Sequence, residues 1–276
     1  MILFLAGSLP GFALLHMRKL SIFGMITRIT DNIINKHAVN NFTSETISSK
    51  SWFTQIRQIC LRYGLPHPLV LLQNPLSKDD FKKLIKQHVI NYWELVLRSE
   101  AALLPSLKYF HSSYMSLTKP HPIWTSAGSS PAKIAMATVQ ARMLSGRYRT
   151  ELLCSHWSNN KSGKCLISEN CLDTTEDLEH ILVSCDALHP TRLKLSDYTN
   201  TLQCTHAIKH IIDKYCNPSS PSFCQFLLDC SVLPEVISAV QSEGQFIHEI
   251  LFNITRTWVY TLHKERMKLL GRWNFI

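Results

Sequence analysis

The sequence predicts a mainly α-helical chain, and three observations carry that prediction. Glycine is scarce, 9 in 276 residues, and long stretches lack the dipeptides that mark tight turns. Apolar residues recur at helical spacing in several segments, and most of these open on a capping residue or close on Gly or Pro. With 45% hydrophobic residues, a chain of this length buries a sizeable core as one large domain or two small ones.

The apolar start, Met1 to Leu15, has no basic stretch before its apolar run and is broken by Pro10 and Gly11, so it reads as an internal helix rather than a signal peptide. A membrane-spanning helix needs about 20 continuous apolar residues. His16, Arg18 and Lys19 interrupt this run, and no membrane partner is expected. From Gly11 to Arg28, the residues Leu15, Leu20, Phe23 and Ile26 fit a helix face loosely, and Asp31 is placed to cap a short following helix. Ser44 to Ser51 reads as a loop. Between Ser51 and Tyr63, Trp52, Ile56, Ile59, Cys60 and Tyr63 repeat at helical spacing, and Gly64 followed by Pro66 ends the helix. Ser77 and Asp80 form a capping box for the best helix of the N-terminal half. Its broad apolar face runs through Phe81, Leu84, Ile85, Val89, Tyr92, Trp93, Val96 and Leu97 until Pro105 stops it.

From Leu104 to Ser130 the chain is rich in Pro, Ser, aromatic residues and His, and KPHPIWTSAGSSP is the strongest loop signal in the sequence. Ser130 then caps a helix with Pro131 at its first position, running through Ile134, Thr138 and Ala141 to near Gly146. Thr191 to Ser222 reads as a mixed linker. Two or three helices close the chain, the longest from Gln245 to Leu270, with Ile247, Ile250, Leu251, Ile254, Trp258 and Leu262 on one side and Gly271 just past its end. The expected organisation is a helical region over 1–104, a Pro- and Ser-rich linker over 105–130, a basic helix with a Cys/His cluster over 131–190, and a helical region over 191–276.

Charge is distributed unevenly. The chain carries 29 Lys and Arg against 20 Asp and Glu, a net charge of +9 that suits a polyanion. Between Pro131 and Lys164, the basic residues Lys133, Arg142, Arg147, Arg149, Lys161 and Lys164 meet one acid, Glu151. The aromatic residues Tyr148 and Trp157 are interleaved among them, an arrangement that allows bases to stack between phosphate contacts. Arg142, Arg147 and Arg149 also lie at or just past a helix C-terminus, where compensation of the helix dipole accounts for them equally well. The next stretch inverts the sign, with Glu169, Asp173, Glu176, Asp177, Glu179 and Asp186.

Nine cysteines at uneven spacing, in a chain too long to need staples, argue for reduced thiols and an intracellular protein in nucleus or cytoplasm rather than a secreted disulfide framework. Cys165, Cys171, His180 and Cys185 give the pattern C-x5-C-x8-H-x4-C, with the His on a short helix and the last Cys just after it. Zinc takes four N or S ligands at the corners of a tetrahedron, and a loop pair plus a helix-borne pair can supply them. The final H-x4-C spacing matches a retroviral-type knuckle, while the first gap exceeds the usual roughly two to four residues. Cys154 and His156 are reserve ligands should the x5 loop not close on the metal. Unrelated buried thiols are the alternative to a metal site.

Several strings share one resemblance: SWFTQIRQICLRYGLPHPLVLL, LPSLKYFH, SLTKPHPIWTSAGSSP, QARMLSGRYRTELLCSHWS, the Cys/His cluster with LEHILVSC, FCQFLLDCSVLPEVISAVQ and TRTWVYTLHKERMKLLGRW. In this order, from about Leu9 to Trp273, they resemble the region downstream of the reverse transcriptase in LINE-type non-LTR retrotransposon polyproteins. The resemblance implies a C-terminal fragment of a longer frame, with 1–104 as the connector after the polymerase and the Cys/His cluster as a CCHC zinc knuckle. It also implies RNA or single-stranded DNA, template or target, as partner, beside an upstream reverse transcriptase domain. A catalytic site is not expected in this chain. The single Asp-Asp pair, Asp79 and Asp80, sits in SKDDFKKL at a helix start rather than in the aromatic-x-Asp-Asp strand motif that holds two metal ions. Two other readings stay open: zinc as a staple between helices with the charge as a solvated face, or a decayed insertion translated with no selected role. His16, His67, His88, His111, His121 and His263 stand alone among apolar or aromatic neighbours and read as structural.

Overall fold

The computed structural model describes residues 2–44, 50–158 and 162–271. The chain is mainly α, and among the described residues no strand forms. It divides into two compact units. One holds Gly7–Glu100 with Ser116–Lys119; the other holds Met1–Ala6, Ala101–Met115 and Pro120–Ile276. No helix among the described residues is long and apolar enough to cross a membrane.

After the short α1 (Ile2–Ala6), which belongs to the larger unit, the smaller unit is built from α2 (Gly11–Thr27), α3 (Asn32–Ser44), α4 (Trp52–Arg62), α5 (Pro68–Gln73) and most of α6 (Lys78–Ala102). Its core joins Leu20 and Phe23 of α2, Phe42 of α3, Ile56, Ile59 and Cys60 of α4, and Phe81, Ile85 and Val89 of α6. Gly24 permits the closest approach: a Cβ there would lie 2.2 Å from the Phe81 ring. Leu15, expected on the inner face of α2, is exposed, and Ala13 is buried in its place. That helix is apolar nearly all round, so periodicity alone could not choose its face.

Helix ends follow the sequence closely. Asp31 Oδ1 accepts from Ile33 N at 2.8 Å at the start of α3. Ser51 Oγ accepts from Thr54 N at 3.2 Å. At the other end of α4, Gly64 adopts φ +63°, with Leu65 N donating to Cys60 O at 2.9 Å and Gly64 N to Leu61 O at 3.2 Å, the bond pair of a Schellman closure. Ser77 Oγ accepts from Asp80 N at 3.2 Å and donates to its carboxylate at 2.6 Å, so Asp80 is spent at a helix start. The loop expected over 44–51 lies mostly outside the described residues, and Ser44 itself ends α3.

Residues 105–130, expected to be a linker, hold two single 3-10 turns and α7 (Pro122–Thr125), and they bury Leu107, Phe110, Leu117 and Ile123. Pro and Ser stop long helices but leave every third or fourth position free to be apolar, so a packed irregular segment and a solvated one share the same composition. Next come α8 (Pro131–Leu144) and α9 (Glu151–Ser155). Ser130 stands at the N-cap of α8 without a side-chain cap bond, and that helix buries Ala137, Gln140, Ala141 and Leu144 rather than Ile134 and Thr138.

The mixed linker expected over 191–222 is instead two helices, α10 (His189–Thr201) and α11 (His206–Tyr215). In α11, Ile208, Ile211, Ile212 and Tyr215 are buried at i, i+3, i+4 and i+7, behind a Thr205 cap. Then follow α12 (Phe223–Leu228), α13 (Pro234–Glu243) and α14 (Phe246–Leu269). The last helix is the hub of the larger unit. It packs against α7, α8, α10, α12 and α13, burying Ile247, Leu251, Phe252, Ile254, Trp258 and Leu262.

Several polar groups on α14 are paired across large sequence distances. Gln140 Nε2 donates to Leu227 O at 2.7 Å and to Thr255 Oγ1 at 3.1 Å. His263 Nδ1 and Tyr148 Oη lie 2.9 Å apart. Burial, then the charges of Arg266 and Arg142, lower the His263 pKa from 6.5 to about 4. The neutral ring is therefore the native form, and protons bind first to the unfolded chain. Stability held above pH 6.5 should fall as the pH drops through the window from 6.5 to 4. Urea titrations at pH 7 and pH 4.5 on wild type and His263→Gln test this: the variant should show a smaller acid-induced loss. An identical loss in both would exclude His263 as a source.

Candidate metal centre and the basic segment beside it

The cysteine-rich loop is folded by its backbone. Lys164 and Thr175 form an isolated antiparallel bridge, Cys165 N donates to Thr174 O at 2.9 Å, and Glu176 N donates to Gly163 O at 3.0 Å. A single 3-10 turn, Glu169–Cys171, then returns Cys171 over Cys165, with Thr174 N donating to Cys171 O at 2.8 Å. These bonds close the five-residue gap. On the other side of the cluster, Asp177 Oδ1 accepts from His180 N at 2.7 Å. His180–Ser184 form one π-turn, closed by Cys185 N on His180 O at 2.8 Å. Widening the turn to an i to i+5 bond sets Cys185 one turn beyond His180 on the same side.

Cys165, Cys171, His180 and Cys185 are all buried, and their ligand atoms all lie within 4.8 Å of one another. A tetrahedral zinc site with Zn–S of about 2.3 Å has edges of about 3.8 Å, so the four atoms stand close to metal-bound spacing. His180 Nδ1 lies 3.2 Å from Ser184 Oγ, while its buried Nε2 has no hydrogen-bond partner among the described residues. Burial lowers the His180 pKa, which favours the neutral, metal-ligating imidazole. Burial, reinforced by the neighbouring thiols Cys165 and Cys171, pushes the Cys185 thiol up to about 12, and burial pushes Cys165 up as well. Cys165 and Cys185, buried in this way, are poor acids by themselves. A divalent cation reverses that, because a coordinated thiol gives up its proton. The donor set therefore fits zinc.

Cys154 and His156 stay outside the cluster: Cys154 is half-buried on α9 and His156 is exposed. The reserve role is not needed once the 3-10 turn has folded Cys171 back. Most of the surrounding acids are engaged. Glu176, fully buried, accepts from Arg266 Nε at 3.0 Å and also receives Arg266 Nη2 and the Glu151 amide. Glu179 pairs with Lys108 at 2.9 Å, and Asp173 with Lys164 at 2.7 Å. Sequence reasoning did not find Arg266 or Arg192, whose Nη2 donates to Cys185 O at 2.7 Å. The signal for both is an arginine at an inward position of an otherwise ordinary amphipathic helix.

Between α8 and α9 the chain alternates outward and inward. Arg142, Arg147 and Arg149 are exposed, and no ion pair or side-chain hydrogen bond among the described residues holds them. Tyr148 between them points in, at 7% exposure, with its hydroxyl at His263 and its ring 5.5 Å from the Arg266 guanidinium. Tyr148 is thus a core residue and is not offered for base stacking. Alternation along a short non-helical segment is the reason, since its two neighbours take the outward side. Trp157 is 63% exposed and stays available. Lys164 is exposed but partly neutralised by Asp173. Lys161 lies outside the described residues. No protein-family model, no curated protein and no solved structure matches the chain.

Proposed function

We propose that the chain is a zinc-binding, nucleic-acid-binding accessory segment, not itself an enzyme, of the kind that follows the reverse transcriptase in LINE-type retrotransposon polyproteins. The observation that carries the zinc half is the convergence of four buried ligand atoms within 4.8 Å, one of them an imidazole nitrogen with no other partner. Zinc holds the loop over residues 163–185 closed within the larger unit, where Glu176, Glu179 and Asp173 already have Arg266, Lys108 and Lys164 as partners. Phosphate contact then falls to Arg142, Arg147 and Arg149, with Trp157 as the exposed stacking surface, and the partner is RNA or single-stranded DNA. Guanidinium groups with no internal partner give up little to bind phosphate, and such binding is weakly sequence-selective. Asp79 and Asp80, on the first turn of α6, serve that helix start rather than a polymerase site.

A salt titration of RNA affinity tests the interface. Arg147→Glu with Arg149→Glu should weaken binding to a short single-stranded RNA and flatten the log–log salt slope by about 1.4 or more, at roughly 0.7 for each phosphate no longer neutralised. Zinc content must be equal in both proteins, so that unfolding is not mistaken for a missing phosphate partner. Equal affinity and equal slope would instead favour the second reading, in which zinc only staples the unit together. The buried pair of Glu176, within the metal loop, and Arg266, on the last helix, is the observation behind that reading.

A further inference from the structure

Zinc bound by three thiolates and one neutral imidazole carries a net charge of −1. Burying that charge is costly unless a fixed cation lies beside it. The carboxylates nearby make the problem worse: Asp177 and Asp186 both act on His180, and Glu176 acts on Cys165. Glu176 has Arg266 as its own counter-charge. Arg192, on α10, is the cation left for the metal site. It is 4% exposed, its Nη2 donates to the backbone carbonyl of Cys185, and its Nη1 is buried with no hydrogen-bond partner among the described residues. Its charge acts on Cys185, Asp186 and Cys171, two of the three thiols and one of the acids. A buried guanidinium with an unused donor is itself expensive to keep unless an anion faces it.

We propose that Arg192 is the built-in counter-cation of the metal site, a positioning residue that makes the zinc-loaded cluster electrically neutral and so sets its affinity for a divalent metal. The inference rests on the zinc reading above and adds to it a requirement for charge at one position outside the ligands. It also accounts for α10 beginning only four residues after Cys185: the helix lifts position 192 back onto the cluster while the Cys185 carbonyl fixes one half of the guanidinium.

The test measures zinc affinity of the full chain by competition with a chromophoric chelator, with cobalt(II) spectra to report the ligand set. Arg192→Gln should weaken zinc binding roughly 10- to 100-fold, the usual span for outer-shell partners, and Arg192→Lys should recover most of the loss. The same substitutions are then made in a Cys171→His background, where two thiolates and two imidazoles already neutralise zinc. There Arg192→Gln should cost less than about threefold, a distinction that a purely structural arginine would not make. An equal penalty in both backgrounds, misfolding of Arg192→Gln in both, or unchanged affinity of Arg192→Gln beside wild type overturns the inference. No zinc uptake by the wild-type chain is a different result, which removes the metal reading itself.

Discussion

A chain carrying His180→Ala with Cys185→Ser is expected to purify without stoichiometric zinc, and wild type is expected to carry one zinc ion per chain. Structural zinc sites contribute about 10–16 kcal/mol of apparent binding energy at neutral pH, and that energy is folding energy. Half of the ligand set here comes from one π-turn, so removing His180 and Cys185 leaves two thiols on a loop with nothing opposite them. Metal analysis by mass spectrometry and thermal unfolding with and without a chelator make the measurement. The chelator should lower the wild-type midpoint and leave the variant where it is. One zinc retained per variant chain, or a wild-type midpoint indifferent to the chelator, removes the proposed site. Cys154→Ser should change neither readout, because Cys154 stands outside the cluster.

The second large effect belongs to Arg266. Among the described residues its guanidinium is the sole ion-pair partner of the fully buried Glu176 carboxylate, and the other Glu176 oxygen, Oε2, has no hydrogen-bond partner there. Removing one member of a buried pair leaves an uncompensated charge and costs about 3–5 kcal/mol, whereas replacing both by apolar groups is often nearly neutral. Arg266→Met should therefore destabilise the larger unit by about 3–5 kcal/mol in chemical denaturation. Glu176→Leu together with Arg266→Met should recover much of that loss. A single variant within about 1 kcal/mol of wild type would mean that the pair is relaxed by water and does not tie the metal loop to α14. Because Glu176 sits between Cys171 and His180 in sequence, the same variant should also loosen zinc.

Helices with capping chemistry and a clean apolar stripe were legible in advance, which is why α4, α6 and α14 lie where Ser51, Ser77 and Gly271 put them. The cluster of Cys165, Cys171, His180 and Cys185 was legible for a related reason: spacing along the chain limits how four donors can converge. What spacing could not give was direction. Leu15 and Tyr148 are both apolar enough to be buried and polar enough in their surroundings to be exposed, and only packing against Ala13's side of α2 or against His263 and Arg266 decides between the two. Composition misled over 105–130 and 191–222. Pro, Ser and Thr read as linker there, yet short turns and two helices formed because Leu107, Phe110, Ile208 and Ile212 found a core to enter. Arg192 and Arg266 were invisible for the opposite reason, since a basic residue on a helix is ordinarily a solvated one.

The central place of α14 has a consequence for synthesis. The helices α7, α8, α10, α12 and α13 are translated before the helix they pack on, and some partners wait long: Ser126 meets Arg256 across 130 residues, Gln140 meets Thr255 across 115, and Glu176 meets Arg266 across 90. The smaller unit draws its core from residues 13–89 and has no such dependence. On the ribosome that unit can therefore close early, while the cysteine loop emerges with its thiols unshielded and without Arg266 to receive Glu176. The interval before residue 266 clears the exit tunnel is when those thiols are most open to oxidation or to capture of a wrong metal. Ribosome stalling over residues 190–266 should lengthen it.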